Sequence, residues 1–319
     1  MEKGGYVLGI DTSNYRTSVA LTCGNSIEAD LRRQLEVRKG DRGLRQSEAL
    51  FQHVKNLPML FEGLGKEYTD RISAIAYSSR PRPVEGSYMP CFLAGESFAR
   101  SLGAVLDVPV RAFSHQEGHI EAVKRYSGID DDRDFIACHF SGGTCELLKV
   151  SKGEDNSKSA YEIERIGGSK DISFGQVLDR AGVAMGMDFP CGELMDSIAI
   201  AIKAKPARRR LTAIKVKGCE LNLSGIDTRI KRLAEGLPDS SLIYEIFAEL
   251  SSAIGKMLIQ AGEVSGLTDV IMAGGVSSSR FIRRELEGIK NMRIVFDDMN
   301  LSSDNAVGIA FLGGSRLWD

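Results

Sequence analysis

Apolar residues recur along this chain in two rhythms. Short runs bounded by glycine or polar clusters predict strands at 6–10, 17–21, 72–77, 108–110, 135–140, 146–150, 270–273 and 294–296. Helical spacing predicts helices over 47–60, 91–102, 115–126, 176–186, 194–204, 242–261, 281–288 and 305–317. One arrangement occurs twice. Strand, polar turn and strand surround Asp11-Thr12-Ser13-Asn14 and again, about 130 residues later, Ser141-Gly142-Gly143-Thr144. Alternating helices and strands follow each. The pattern predicts an α/β protein of two lobes with a cleft between them. The boundary is expected near residue 126, with the last helix returning to the first lobe: 1–126 plus 305–319, and 127–304.

Two of the four histidines, His115 and His119, stand one turn apart in a segment that reads as helical. Ser114 and Glu117 form a capping box at its start, and Ser127-Gly128 stops it. Side chains at this spacing share a helix face at roughly 5–6 Å, which suits two imidazole nitrogens converging on one metal ion. The alternative is a pair of polar side chains on a solvated surface. Asp304, just before the last predicted helix, either caps that helix or completes a two-histidine, one-carboxylate set with open positions for water or a substrate oxygen. Such a set admits Fe(II) or Zn(II). A zincin peptidase needs its glutamate directly after the first histidine. Gln116 holds that place and Glu117 points elsewhere around the helix, which disfavours proteolysis.

The turn glycines add a second chemistry. Ser141-Gly142-Gly143 and Gly274-Gly275 both end apolar strands, where glycine lets backbone amides approach phosphate oxygens closely. A tight turn without a ligand explains either pair alone. Both together, with Asp11 at the tip of the first turn, predict nucleotide binding at strand ends that face one cleft.

Charge and composition narrow the partners. A chain of 319 residues with 43% hydrophobic content builds one large or two medium domains. Its formal charge of −2 gives no global attraction to nucleic acid, so an RNA contact has to come from a local patch or a partner protein. Arg208-Arg209-Arg210, flanked by Lys203, Lys205, Lys215 and Lys217, is either such a patch or a solvated charged face. Six cysteines without C-x-x-C spacing signal no zinc knuckle and no redox motif, and suit a reducing compartment. No basic region with a long apolar stretch opens the chain, and no apolar run of about 18 residues occurs. The expected location is cytoplasmic, without membrane contact.

In order along the chain, Gly9-Ile10-Asp11-Thr12-Ser13, His115-Gln116-Glu117-Gly118-His119, Ser141-Gly142-Gly143, the stretch 167–179, Phe189-Pro190-Cys191-Gly192, Leu223-Ser224-Gly225, Met272-Ala273-Gly274-Gly275-Val276-Ser277 and Asp304-Asn305 resemble the TsaD family. That family, once described as O-sialoglycoprotein endopeptidases, is known for threonylcarbamoyl transfer to tRNA. The resemblance implies the duplicated ribonuclease-H-like fold of actin, sugar kinases and heat-shock chaperones. It implies that His115, His119 and Asp304 hold one divalent metal, iron or zinc. It further implies that Ser141, Gly142 and Gly143 line the adenylate phosphate pocket, and that Asp179 and Gly192 contact the nucleoside. Gly275 and Ser279 join this nucleotide set, and Asp11 is the candidate catalytic residue. The implied substrate is threonylcarbamoyl-adenylate, or ATP as the related nucleotide, and the acceptor is the exocyclic amine of an adenosine in tRNA. The metal would polarise the carbamoyl carbonyl as a Lewis acid. Partner proteins of tRNA modification, in a hetero-oligomer, would help to hold the tRNA.

Several positions depart from the family pattern. Asn14-Tyr15-Arg16-Thr17 stands for Cys-Asp-Glu-Thr, Thr144 for a histidine, and Gly175-Gln176 for Gly-Glu. Ser224-Gly225-Ile226-Asp227 stands for Ser-Gly-Leu-Lys, and Ser277-Ser278-Ser279 for Ser-Ala-Asn. The metal set is whole while side chains that read substrate differ, which points to a divergent paralogue. The leading expectation is a metal-dependent threonylcarbamoyl transferase or a carbamoyl transferase with another acceptor. The alternative is a non-catalytic nucleotide- and metal-binding partner protein, and a metallopeptidase comes last.

Overall fold

Strand β1 (Tyr6–Asp11) is buried from Val7 onward because both of its faces are covered, which is why it reads as a continuous apolar run. The computed structural model describes residues 5–13, 15–37, 44–153, 159–203, 209–234, 236–296, 301 and 306–315. From β1 the chain doubles back through β2 (Arg16–Cys23) and β3 (Ser26–Gln34), both pairings antiparallel. Helices α1 (Gln46–Glu62) and α2 (Lys66–Thr69) lead to β4 (Ile72–Arg80), parallel to β1. Helix α3 (Phe92–Leu106) leads to β5 (Val110–Ser114), parallel to β4, and α4 (His115–Lys124) follows without a loop. The sheet order is β3-β2-β1-β4-β5.

The chain then repeats this plan. Strands β6 (Phe135–Phe140), β7 (Cys145–Lys152) and β8 (Tyr161–Ser169) are neighbours in a second sheet. Helices α5 (Phe174–Ala184) and α6 (Gly192–Ala201), the two-residue strands β9 (Val216–Lys217) and β10 (Glu220–Leu221), and helices α7 (Ser224–Leu233) and α8 (Ser240–Ser265) follow. Strand β11 (Asp269–Ala273) lies parallel to β6, and beyond α9 (Arg280–Leu286) strand β12 (Arg293–Phe296) lies parallel to β11. The second order is β12-β11-β6-β7-β8-β10-β9. Without β9 and β10 it matches the first: three strands in succession, with two parallel strands on the free edge of the leading one. The duplication expected from the two turns is present.

Helix α10 (Val307–Ser315) returns to β1. The described residues fall into two compact units, one drawn from 1–129, 152–162 and 303–319, the other from 130–151 and 163–302. In the first, Leu8, Ile10, Val19 and Leu21 pack on Leu57 and Leu60 of α1 and on Ala94 and Ala99 of α3. Gly9 lies against Ala306 and Ala310, where a methyl group would come within 2.8 Å of Ala310. In the second, α8 buries Leu242, Ile246, Phe247, Leu250, Ile254, Met257 and Leu258 in one large core.

Some elements run against expectation. Strand β3 is an edge strand with no buried residue, so Ser26–Gln34 carries too many charges to read as a strand. Helix α7 rests on Ile226 and Ile230 alone among its fully buried apolar side chains, too few for a periodic signal. Helix α5 starts before the predicted 176 because Ser173 and Gln176 form a capping box. The predicted last helix, 305–317, is described over Val307–Ser315, and its ends lie outside the described residues. Arg208 and Lys205 of the basic patch also lie outside them, whereas Arg209 pairs with Glu249, and Arg210 lies 2.6 Å from Asp239 and 3.1 Å from Glu245. These two guanidinium groups hold the segment to α8 and its N-cap.

Candidate functional site

In the first unit the parallel strands β1, β4 and β5 end on one edge and bring Asp11, Ser78 and Ser114 there. Because α4 begins directly after β5, Ser114 both ends the strand and caps the helix: its hydroxyl accepts the Glu117 N–H while the Glu117 carboxylate accepts the Ser114 N–H. This is the expected capping box. The next residue is His115. Its Nε2 stands 3.0 Å from Nε2 of His119, the rings meeting edge to face, and its Nδ1 stands 3.3 Å from a carboxylate oxygen of Asp11. Asp11 is fully buried and also accepts the hydroxyls of Ser13, at 2.8 Å, and Ser78.

That geometry suits metal binding. Two imidazole nitrogens on one tetrahedral ion stand about 3.3 Å apart, since each lies about 2.0–2.1 Å from the metal. A carboxylate on the far nitrogen of a ligating histidine fixes its ring and tautomer, as Asp11 does for His115. Without an ion the same spacing is a hydrogen bond in which one ring donates. Asp304, the third expected ligand, lies outside the described residues, and among these no set of three histidine, cysteine or carboxylate groups is arranged to hold a metal. Cys91 sits close by, its thiol donating to the Ser13 carbonyl at 3.2 Å. Burial, and then the charge of Asp11, pushes its pKa up to about 12, so it remains a thiol rather than a nucleophile.

In the second unit β6 and β11 are parallel neighbours, so the turns that leave them, 141–144 and 274–275, open on the same edge. Open α/β sheets bind ligands at such carboxyl ends. The Ser141 hydroxyl accepts the N–H groups of Gly143, at 3.3 Å, and Thr144, at 3.0 Å. Ser173 donates to the Gly142 carbonyl at 2.7 Å, and Gly175 lies so close that a methyl group on it would come within 2.7 Å of the Gly142 Cα. The turn and the start of α5 are thereby locked together. One turn along α5, the Asp179 carboxylate accepts the Cys191 N–H at 2.9 Å, next to Gly192 at the start of α6. Burial raises the Asp179 pKa, partly opposed by that hydrogen bond.

The glycines divide into two kinds. Gly274 has φ of 92° and sits against the Phe140 carbonyl, so the fold itself requires it. Gly142, Gly143, Gly192 and Gly275 have no positive φ in the left-handed region, and a methyl group on any of them would meet nothing within 4 Å. No packing reason requires glycine there, and the space beside each backbone is open. Ser279 has a structural task in addition to its expected one: its hydroxyl donates to Asp196 and caps α9 through the Ile282 N–H at 3.1 Å. Asp227, at the position of the family lysine, is buried and bonded to Lys231 at 2.7 Å and Arg180 at 3.4 Å.

Sequence patterns missed Ser13 and Ser78 as partners of Asp11, and Ser173 and Gly175 as the buttress of the 141–144 turn. Ser78 had one available sign, a polar residue ending an apolar strand. The buttress had the Ser173-Gln176 capping spacing. Among the described residues no helix is long and apolar enough to cross a membrane.

Comparison with solved structures shows the same architecture. Full-length HypF in its phosphate- and nucleotide-bound form is similar at TM-score 0.60 and 12% identity, over 100% of this chain and 47% of that one. Component A of (R)-2-hydroxyglutaryl-CoA dehydratase from Acidaminococcus fermentans is similar at TM-score 0.54 and 14% identity, over 99% and 100%. A ROK family glucokinase from Streptomyces griseus, solved with glucose and AMPPNP, is similar at TM-score 0.51 and 12% identity, over 98% and 100%. The fold is the duplicated ribonuclease-H-like fold of actin-like ATPases and sugar kinases. Among sequences, the tRNA N6-adenosine threonylcarbamoyltransferase of Neorickettsia sennetsu is 27% identical over 98% of this chain and 93% of its own length. That of a Sulfurihydrogenibium species is 29% identical over 98% and 90%. The family model described as TsaD, tRNA N6-adenosine threonylcarbamoyltransferase, matches residues 32–311, and with the histidine pair and both turns in place the chain belongs to that family.

Proposed function

We propose that this protein is a tRNA N6-adenosine threonylcarbamoyltransferase that takes the group from threonylcarbamoyl-adenylate. The observation that carries this reading is the family match over 32–311 in a chain that keeps the histidine pair oriented by a buried carboxylate. In the reaction, the adenosine amine attacks the carbamoyl carbonyl, a C–N bond forms, the C–O bond to phosphate breaks, AMP leaves and the amine gives up a proton. Such chemistry depends chiefly on positioning and on stabilising the oxyanion.

His115 and His119 would hold one divalent ion, iron or zinc, with Asp304 as the third ligand. When bound, the ion supplies a Lewis acid for the carbamoyl oxygen. Asp11 acts through His115, keeping its Nε2 turned toward His119. The amides of the 141–143 turn and Gly275 would receive the adenylate phosphate, and Asp179 and Gly192 the nucleoside. The open space beside these glycines supports that assignment. We place the lobe boundary near residue 126, with the last helix returning to the first lobe, and expect a cytoplasmic protein that meets tRNA together with other tRNA-modification proteins.

The test is complementation of a strain depleted of its own transferase, followed by nucleoside mass spectrometry. Wild type should restore threonylcarbamoyladenosine and His119→Ala should not. Loss of bound metal in a His115→Ala, His119→Ala double variant should accompany it. Absence of the nucleoside despite soluble, metal-loaded wild-type protein would reject the transferase. The second reading, a non-catalytic nucleotide-binding partner or a transferase with another acceptor, is favoured by Asp227, a buried carboxylate paired with Lys231 and Arg180 where the family carries a lysine.

A further inference from the structure

Helix α4 presents two pairs of side chains one turn apart. His115 and His119 form one; Glu117 and Glu121 form the other, around the helix from the first. Glu117 is fully buried, and its carboxylate accepts from three donors. One carboxylate oxygen accepts both the N–H and the hydroxyl of Ser114, each at 2.7 Å; the other accepts the N–H of Ala160 at 2.7 Å. One turn later Glu121 takes the Tyr161 hydroxyl and an Arg125 guanidinium nitrogen at 2.6 Å. The segment 159–162 is therefore bonded to α4 at two successive turns, within the first unit.

A buried carboxylate is costly unless donors surround it, and Glu117 has three. Its position makes a base role unsuitable, because both oxygens are engaged away from the imidazoles. We propose that Glu117 is a positioning residue for the histidine pair, an inference that rests on the metal-binding reading above. Through Ser114 it fixes the junction between β5 and α4, from which His115 projects, and through Ala160 it holds the helix to the 159–162 segment. The acceptor has to be a carboxylate. Glutamine has one acceptor oxygen, so its NH2 group would face a donor at either Ser114 or Ala160.

The test compares full-length wild type, Glu117→Gln and Asn56→Ala. The last breaks a buried 3.1 Å hydrogen bond to Thr17 in the same unit, away from α4, and controls for lost stability. Two quantities are read: amide hydrogen exchange at 115–119 and 160 in metal-free protein, and the affinity and visible spectrum of added Co2+. Glu117→Gln should exchange faster at both places, bind Co2+ about ten- to hundredfold more weakly and alter its spectrum. Asn56→Ala should lower the melting temperature and leave both readouts at wild-type values. Wild-type exchange and Co2+ affinity in Glu117→Gln would overturn the proposal, as would an equal loss of affinity in Asn56→Ala. If wild type itself takes no Co2+, the metal reading fails, and the exchange comparison alone decides the tether. Should Glu117→Gln not fold, Glu117→Asp keeps the charge and the Ser114 cap hydroxyl but shortens the reach to Ala160; faster exchange at 160 with weaker Co2+ binding supports the tether, and wild-type values for both reject it.

Discussion

At the residue scale, Asp179 combines a burial cost with one hydrogen bond, from the Cys191 N–H. Its native carboxyl keeps a proton to higher pH than an ordinary unfolded aspartate, because burial disfavours the charge. The native state thus binds more protons over that interval, and stability falls as pH rises from the ordinary carboxylate value through the raised one. Asp179→Asn keeps an oxygen for the Cys191 N–H and removes the charge. Its melting temperature at pH 7 should equal or exceed that of wild type, the advantage fading as pH drops through the raised pKa. Its affinity for AMP should fall about tenfold or more, the weight of a charged hydrogen bond. A variant that melts lower at pH 7 and binds AMP normally would remove Asp179 from the nucleotide set. Gly143→Val is a cleaner probe, since its side chain enters open space. Stability should stay within about 0.5 kcal/mol of wild type while AMP binding weakens, checked by denaturant unfolding and calorimetry.

The histidine pair was legible because helical spacing and the Ser114-Glu117 cap are local signals. The Asp11 partners Ser78 and His115 were not, since they reach Asp11 from β4 and from the start of α4, which meet β1 only in the folded unit. Which glycines face space and which face backbone was equally hidden, because that depends on neighbours distant in sequence.

At the scale of elements, α4 and α10 cross at two glycines. A methyl group on Gly308 would overlap the Gly118 carbonyl, and one on Gly118 would come within 2.8 Å of Ile309. Gly118 thus sits in the histidine motif for packing, not for loop freedom. Gly308→Ala should destabilise by about 1–3 kcal/mol through overpacking, and should weaken metal binding because the displaced helix is the one that carries both histidines. Unchanged unfolding in denaturant would show that the helices separate without cost. Elements with an apolar face were visible in the sequence. Strand β3 and helix α7 were not, because an exposed edge strand and a helix with a narrow buried stripe place few apolar residues in period.

At the scale of the whole molecule, net charge and the local basic run give different expectations for RNA. Arg210 is held by Asp239 and Glu245, and the Asp239 hydrogen bond is the leading cause of its raised pKa. Arg209→Ala with Arg210→Ala should therefore leave tRNA retention by the isolated protein unchanged at fixed salt. It should cost about 1 kcal/mol of stability by removing the guanidinium partner of buried Glu245, which keeps the backbone N–H groups of residues 210 and 211. A drop in tRNA retention without loss of stability would instead make the run an RNA contact. Helix α10 bears on how the molecule is made. It completes the packing of β1, where Gly313 lies against Val7 and Ala76, and it seats α4 through Gly308. Ribosomes deliver chain in order, and domains fold as they emerge. The residues of the second unit leave the ribosome before α10 does, so during synthesis that unit can close first while β1 and the histidine helix wait with an uncovered apolar face. The nascent first half is thus the part most in need of chaperone protection, and a ribosome stalled before residue 306 would present it without its last layer.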